Sequence, residues 1–133
     1  MPLALRFDNL WKSYAAGVEG CSVRVWALRG CALDLEVGER VGVVGSAGSG
    51  KSTLLQCISG KRRADAGRIL LLQPIAFIDG PDALAPVATH TSLVTSRDVA
   101  ALRGRVDRVV LLRDGRLTPL SQHFVRRVAE PVR

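Results

Sequence analysis

The residues best suited to chemistry form one stretch, GSAGSGKST, which fits the pattern G-x-x-x-x-G-K-[ST] in full. Its glycines allow positive φ and a close approach of the backbone to a ligand. Backbone N–H groups at the start of a helix attract anions, a lysine adds a point charge, and a serine hydroxyl suits Mg²⁺. The pattern predicts that these residues cradle a chain of phosphates: Gly45, Ser46, Ala47, Gly48, Ser49, Gly50, Lys51, Ser52 and Thr53.

The flanks of this stretch supply the context that a phosphate-binding loop needs. The apolar run RVGVVG before it predicts a buried strand, and LLQCISGKR after it has apolar residues at helical spacing. We expect a helix from Lys51 to about Ser59, ended by Gly60. The alternative, an ordinary turn rich in Gly and Ser, does not require both flanks.

Length and composition favour a globular chain with a core. The sequence has 133 residues, 47% of them hydrophobic, which suits one domain or a fragment of a larger one. No apolar run is long enough to span a bilayer, and the first residues lack the layout of a signal peptide. The three cysteines, Cys21, Cys31 and Cys57, have no metal-ligand spacing, so we expect them reduced and the protein cytoplasmic.

The net charge of +7 raises the question of a nucleic-acid partner. The positive charge is mostly arginine spread along the chain, and it is densest in HFVRRVAEPVR at the C-terminus. No aromatic residues interleave with those arginines to stack on bases. A solvated basic surface is therefore favoured over a nucleic-acid interface, which stays open as an alternative.

The rest of the chain reads as strands with few helices. Leu3 to Leu10 alternates as a strand, and SVRVWAL and CALDLEV predict a hairpin that turns near Arg29–Gly30. GRILLL, IAFID and PVATH predict further strands, with IAFID buried and PVAT beside VGVVG in the same sheet. SRDVAALRGR predicts a helix capped by Ser96, and DRVVLLRDGRLTPL a hairpin around Asp114–Gly115. A last amphipathic helix is expected from Ser121 to about Glu130.

The order of these pieces resembles the ATP-binding subunit of ABC (ATP-binding cassette) ATPases. The matching segments are LRFDNLWKSY, ALRGCALDLEVGERVGVVGSAGSGKSTLLQCISGKRRADAGRIL, FIDGP, VATH and RVDRVVLLRDGRL. The resemblance implies an α/β fold, with a P-loop NTPase core of parallel strands. An antiparallel β flank would come from the N-terminal strands and the C-terminal hairpin. Residues 1–133 would form a single truncated nucleotide-binding domain.

The resemblance also implies roles for single residues. Tyr14 matches the aromatic residue that stacks on adenine, and Ser52 and Asp79 match the groups that hold Mg²⁺. His90 matches the switch histidine that contacts the γ-phosphate. Asp114 is a rival acid, but it belongs to a turn pair in the last hairpin. ATP and Mg²⁺ are the implied ligands.

Departures from the family pattern limit what the resemblance implies. The interval between Lys51 and Asp79 is too short for the family's helical subdomain, and the LSGGQ signature is absent from the sequence. Gly80 stands where the family has the catalytic glutamate, and Ala85 and Thr91 replace usual aspartates. We therefore expect Mg·ATP binding, with hydrolysis weak or absent in isolation.

Two other functions remain open at this point. The chain could be a non-catalytic regulatory or assembly subunit of a complete ABC ATPase, or a basic nucleic-acid-associated protein. A complete ABC ATPase subunit or a membrane permease is the implied partner. Such a partner would place the chain peripherally at the inner face of a membrane.

Overall fold

The computed structural model describes residues 2–46, 48–80, 91–102 and 104–120. Within these ranges the chain forms eight strands and one α-helix, in the order β1 (Leu3–Val18), β2 (Cys21–Glu36), β3 (Arg40–Val44), α1 (Lys51–Ile58), β4 (Ala66–Leu71), β5 (Ala76–Asp79), β6 (Ser92–Ser96), β7 (Arg108–Arg113) and β8 (Arg116–Leu120). A short 3-10 helix, Ala100–Leu102, lies between β6 and β7. No helix in the described ranges is long and apolar enough to cross a membrane.

The N-terminal strands form an antiparallel sheet in the order β2-β1-β4. The predicted hairpin at Arg29–Gly30 is wrong, because β2 runs through both residues as one strand. Gly30 takes φ 74° there, and the pairing with β1 shifts between Leu10 and Trp11. A glycine with positive φ inside a ladder is typical of a bulge, which bends a strand without ending it. The chain reverses instead between β1 and β2, where Gly20 has φ 83°.

Strand β4 is the outer strand of this sheet and is exposed along its whole length. Its apolar side chains reach into solvent, with Ile69 36%, Leu70 50% and Leu71 49% exposed. In the described part of the chain, β4 pairs with β1 alone. An apolar edge strand without cover on either face is uncommon in globular proteins.

The second sheet has the order β5-β6-β3-β7-β8, and only β8 runs antiparallel to its neighbour. This arrangement confirms the predicted fold class of a parallel core with antiparallel flanks. The hairpin around Asp114 and Gly115 is also confirmed, and both residues have positive φ, 53° and 76°. The first strand of this hairpin, β7, pairs in parallel with β3 and therefore belongs to the parallel core. Only the second strand, β8, is antiparallel to its neighbour, as we expected of the whole hairpin.

Three expectations for the central sheet and the segment after it need correction. β6, Ser92–Ser96, lies between β3 and β5, where we expected residues 86–89, which lie outside the described residues. Ser96 ends this strand, and only a 3-10 turn follows in place of the predicted helix. β5 is an edge strand of the sheet and is partly exposed, so the expectation of a buried IAFID strand is wrong.

Side chains of the parallel sheet alternate between two apolar clusters. Val43, Leu93 and Val110 pack with α1 and the antiparallel sheet, whereas Val44 and Val94 pack with Leu102 of the 3-10 segment. Because neighbouring residues of a strand point to opposite faces, both faces of the sheet are covered, as a parallel sheet requires. The helix contributes four buried residues to the first cluster: Leu54, Leu55, Cys57 and Ile58.

Candidate functional site

The carboxyl ends of β3, β5 and β6 meet at one edge of the parallel sheet and form a cleft. The GSAGSGKST loop follows β3, Asp79 ends β5, and Ser96 ends β6. Ligands of open parallel sheets bind at this edge. A cavity of about 680 Å³ lies there, lined by residues that include Lys51, Ser52 and Asp79. Its volume is within the range of small-molecule sites.

The loop has the backbone geometry that its glycines predict, with one difference. Gly48 and Gly50 have φ 79° and 104°, and Gly50 caps the start of α1. Gly45 does not adopt positive φ. It is needed for space, because a Cβ there would lie 2.7 Å from the carbonyl oxygen of Leu112. Ala47 lies outside the described residues.

Lys51 is folded back onto its own loop. Its Nζ donates to the carbonyl oxygens of Gly45 (2.5 Å) and Ser46 (2.8 Å) and to Ser49 Oγ (3.3 Å). Partial burial lowers the pKa of Lys51, the charge of Arg97 lowers it further, and Asp79 opposes both. Burial is thus the main cause of the lowered pKa, and an incoming phosphate would offer the ammonium group a better partner than carbonyl oxygens.

Asp79 connects β5 with both α1 and β6. Ser52 Oγ donates to Asp79 Oδ2 at 3.4 Å, and Thr95 Oγ1 donates to Asp79 Oδ1 at 2.5 Å. A hydroxyl beside a carboxylate is a set of hard oxygen donors, which suits Mg²⁺. The described residues contain no group of three or more His, Cys, Asp or Glu that could hold a metal alone. Mg²⁺ commonly takes one or two protein ligands together with phosphates, so this site fits a magnesium nucleotide.

Tyr14 lines the same cavity from β1. Its hydroxyl lies 3.1 Å from Thr53 Oγ1 on the first turn of α1. The Lys12 ammonium and the Arg62 guanidinium lie 5.4 Å and 5.3 Å from the ring centroid, within the range of cation–π attraction. The ring thus lies beside the first turn of α1, at the wall of the cleft.

Asp65 holds the part of β1 that precedes Tyr14. Its Oδ2 accepts hydrogen bonds from the backbone N and the Oγ of Ser13, both at 2.7 Å. Its backbone N donates to the carbonyl oxygen of Trp11 at 2.8 Å. The two hydrogen bonds from Ser13 lower the pKa of Asp65. The segment after α1 is therefore tied to the strand that carries the tyrosine.

His90, the predicted γ-phosphate contact, lies outside the described residues. The next residue, Thr91, lies at the amino end of β6: its Oγ1 accepts from Gly38 N at 2.7 Å, and its carbonyl accepts from Ala76 N at 3.0 Å. That end of the sheet is opposite to the cleft. The polar residues at the carboxyl end of β6 are Thr95, Ser96 and Arg97.

Sequence reasoning missed these three cleft residues. Each of them lines the cavity. The signal was present in SLVTS, an apolar and β-branched run followed by the polar pair Arg97–Asp98. VATH, a few residues earlier, has a similar pattern of apolar residues followed by a polar pair. Gly80 is at the cleft as expected, with φ 94° and its N–H bonded to the carbonyl oxygen of Thr95 at 3.0 Å.

Comparison with known proteins identifies the family. The family model for ABC transporters matches residues 28–108, and the chain belongs to this family. Arabinose import ATP-binding protein AraG 1 of Burkholderia lata is 38% identical over 86 residues, which are 64% of this chain and 16% of that protein. Methionine import ATP-binding protein MetN of Cereibacter sphaeroides is 33% identical over 103 residues, 72% of this chain and 28% of that protein. The chain thus spans well under a third of the length of these relatives.

Solved structures show the same fold. The crystal structure of an ATP-binding cassette of an ABC transporter in its ADP conformation superposes with a TM-score of 0.74. The superposition covers 97% of this chain and 95% of the cassette, and the two sequences are 13% identical. A dimeric bacterial ABC transporter cassette gives a TM-score of 0.71, with coverage of 85% and 96% at 15% identity. At such identities the likeness is one of fold.

Proposed function

We propose that the chain binds Mg·ATP through residues Gly45–Thr53 as an ABC-type nucleotide-binding protein, with hydrolysis weak or absent in isolation. One observation carries the proposal. Ser52, at the start of α1, and Asp79, at the end of β5, meet beside a loop whose lysine donates, within the described ranges, to carbonyl and hydroxyl oxygens. A strand–loop–helix of this kind, with an acid from another strand of the same sheet, is the arrangement that P-loop NTPases use for nucleotide phosphates.

The roles of the residues follow from their positions. The loop N–H groups and Lys51 would hold the phosphates, Ser52 and Asp79 would hold the metal, and Tyr14 would stack on the base. Mg²⁺, when bound, would neutralise charge on the phosphate oxygens. Thr95 would keep Asp79 in place through its short hydrogen bond to Oδ1.

Slow hydrolysis follows from the groups that face the cleft. Gly80 has no side chain to orient a water molecule. Among the described residues that line the cavity, Asp79 is the one carboxylate, and both of its oxygens already accept hydrogen bonds. Loss of a positioned general base typically costs about 10² to 10⁴ in rate. Binding, which depends mainly on the loop and the metal, should suffer less.

The names of the relatives support ATP as the nucleotide. AraG 1 and MetN are named as import ATP-binding proteins, for arabinose and for methionine. This chain has no LSGGQ signature and has Gly80 at the position of the catalytic glutamate, so we infer that it acts with a partner. The partner would be either a complete ABC ATPase subunit or a membrane permease. Such a partner would hold it at the cytoplasmic side of a membrane.

Titration with a fluorescent ATP analogue tests the proposal. Wild type should bind in Mg²⁺ and more weakly in EDTA. Lys51→Ala should weaken binding about ten-fold or more, because a charge-assisted contact is worth roughly 1.5–3 kcal/mol. The matched control is Arg68→Ala, which removes one positive charge from exposed β4 and should leave affinity unchanged. Equal affinities of wild type and Lys51→Ala would refute a role for the loop.

A second titration addresses the nucleic-acid alternative. Affinity for duplex DNA is measured over a series of salt concentrations, because phosphate contacts give a steep salt dependence. Weak DNA binding together with Mg²⁺-dependent nucleotide binding supports the proposal. Tight, strongly salt-dependent DNA binding without nucleotide preference would instead favour a basic nucleic-acid-associated protein.

A further inference from the structure

The chain leaves β6 between the phosphate loop and Asp79. Gly45 N, at the first residue of the loop, donates to the carbonyl oxygen of Ser96 at 3.2 Å. On the other side, Gly80 N donates to the carbonyl oxygen of Thr95 at 3.0 Å. Arg97 is the next residue, and its side chain is exposed and lines the cavity. The backbone at this point is therefore fixed on both sides by parts of the proposed site.

The polar neighbours of Arg97 are used to build the turn that carries it. Ser96 Oγ donates to the carbonyl oxygen of Asp98 (3.0 Å) and accepts from Asp98 N (3.1 Å). The Asp98 carboxylate accepts from Ala100 N at 3.0 Å. In the described part of the chain, Arg97 itself has neither a hydrogen-bond nor an ion-pair partner. It is the side chain at the end of β6 that remains available to a ligand.

The charges around the cleft indicate an anionic ligand near Arg97. The positive charge of its guanidinium disfavours the protonated form of Lys51 and so lowers the pKa of that residue. Two cations therefore share one cavity, and among its described lining residues Asp79 is the sole acid. A surplus of positive charge in a cleft raises the local concentration of anions.

The ends of the cavity indicate which part of a nucleotide would meet Arg97. Tyr14 and Thr53 mark the end proposed for the base. Ser52, Asp79 and Thr95 mark the end proposed for the metal and the outer phosphates, and Arg97 follows this group. A guanidinium binds phosphate through paired N–H donors and stays charged at any physiological pH.

We propose that Arg97 contacts the terminal phosphate of a bound nucleoside triphosphate, so that it selects triphosphate over diphosphate within one chain. This inference rests on the proposed nucleotide binding and adds a residue that the family pattern did not assign. In other P-loop proteins, an arginine of the same chain stabilises the negative charge on the phosphoryl group that is transferred. Here it would supply positive charge to the terminal phosphate from within this chain.

The test compares affinities for ATP and ADP in Mg²⁺ for wild type, Arg97→Ala, Arg97→Lys and the control Arg68→Ala. Arg97→Ala should weaken ATP about ten-fold and ADP less than about three-fold, so that the preference for ATP falls. Arg97→Lys should lie between wild type and Arg97→Ala, because it keeps the charge and loses the paired donors. Arg68→Ala should change neither affinity.

The outcomes separate this inference from the proposed function. If wild type binds ATP in a Lys51-dependent manner but Arg97→Ala keeps the wild-type ratio of ATP to ADP affinity, the inference alone is overturned. If wild type shows no Lys51-dependent ATP binding, both fail. A thermal melt of each variant establishes folding, and should Arg97→Ala be unfolded, a wild-type ratio in Arg97→Lys would count against the paired contact.

Discussion

Ser52 Oγ lies 3.4 Å from Asp79 Oδ2, and this contact joins the first turn of α1 to the end of an edge strand. β5 pairs with β6 alone among the described strands, so its carboxyl end has few other supports. A second contact that holds Asp79 is the 2.5 Å hydrogen bond that Thr95 Oγ1 donates to Asp79 Oδ1. The position of the proposed metal ligand therefore depends on two hydroxyl groups from two different elements.

Removal of the carboxylate charge should abolish most of the Mg²⁺-dependent gain in ATP affinity. Asp79→Asn keeps the size of the side chain and loses the hard anionic donor that Mg²⁺ prefers. The measurement is ATP affinity in Mg²⁺ and in EDTA, for the variant and for wild type. Affinity in EDTA should stay within about three-fold, because Lys51 and the loop still contact the phosphates. A wild-type gain from Mg²⁺ in Asp79→Asn would show that the metal is held elsewhere.

Substitution of Tyr14 should separate base contacts from phosphate contacts. Tyr14→Ala should weaken ATP about five-fold or more, since stacking on an aromatic ring is worth roughly 1–3 kcal/mol per base. Tripolyphosphate, which has no base, should bind the variant almost as well as wild type. Tyr14→Phe is the matched control: it keeps the ring and loses only the contact with Thr53. Equal losses for ATP and tripolyphosphate in Tyr14→Ala would contradict a stacking role.

The isolated chain should turn over ATP far more slowly than about one per second, the lower end of typical enzyme rates. Steady-state phosphate release by purified protein measures this, with Lys51→Ala as the control for contaminating ATPases. Gly80→Glu should not restore activity, because Gly80 has φ 94°, and a side chain at left-handed φ costs about 1–2 kcal/mol. That variant should also melt at a lower temperature. Fast turnover that Lys51→Ala abolishes would identify the chain as a true ATPase.

The hydrogen bonds of Asp65 should make stability depend on pH in the acid range. Ser13 lowers the pKa of Asp65 below its unfolded value of 3.8, so the ionised form is favoured in the folded state. The resulting stability is present above the unfolded pKa and is lost as the pH falls through the lower, folded pKa. Wild type should therefore melt above Asp65→Asn at pH 6, and the gap should narrow as the pH falls below 3.8.

A control for this pH effect is available on the same sheet. Asp8→Asn removes an exposed carboxylate from β1 without touching the Ser13 contacts. Its melting temperature relative to wild type should not show the same closing gap. If the difference between wild type and Asp65→Asn is the same at pH 3 and pH 6, the two hydrogen bonds do not depend on ionisation.

The sequence predicted the strand–loop–helix geometry of GSAGSGKST and the last hairpin well, because both are determined locally. A glycine at a turn, as in Asp114–Gly115, or a glycine that caps a helix, as Gly50 does, leaves a signal within a few residues. Gly30 shows the limit of that reasoning, since positive φ inside a strand gives the same local signal as a turn. Its role is decided by the pairing of β2 with β1, which extends far beyond the neighbouring residues.

The order of strands in the central sheet could not be predicted in the same way. Residues 86–89 and Ser92–Ser96 are both short apolar runs followed by polar residues. Only the parallel pairing with β3 and β5 decides which of them carries residues to the cleft, and such pairing is not local. Arg97 was missed for that reason: its neighbours in the sequence favoured a helix, and the sheet placed it at the site.

Strand β4 has a practical consequence for anyone who handles this protein. One edge of β4 has no strand partner among the residues that the structure describes, and such an edge is a template on which another β-strand can add, which favours aggregation. Yield and shelf life should therefore depend on protein concentration more than on melting temperature. A lysine in place of Leu70, the most exposed large apolar residue of the strand, is the change most suited to keep samples monodisperse.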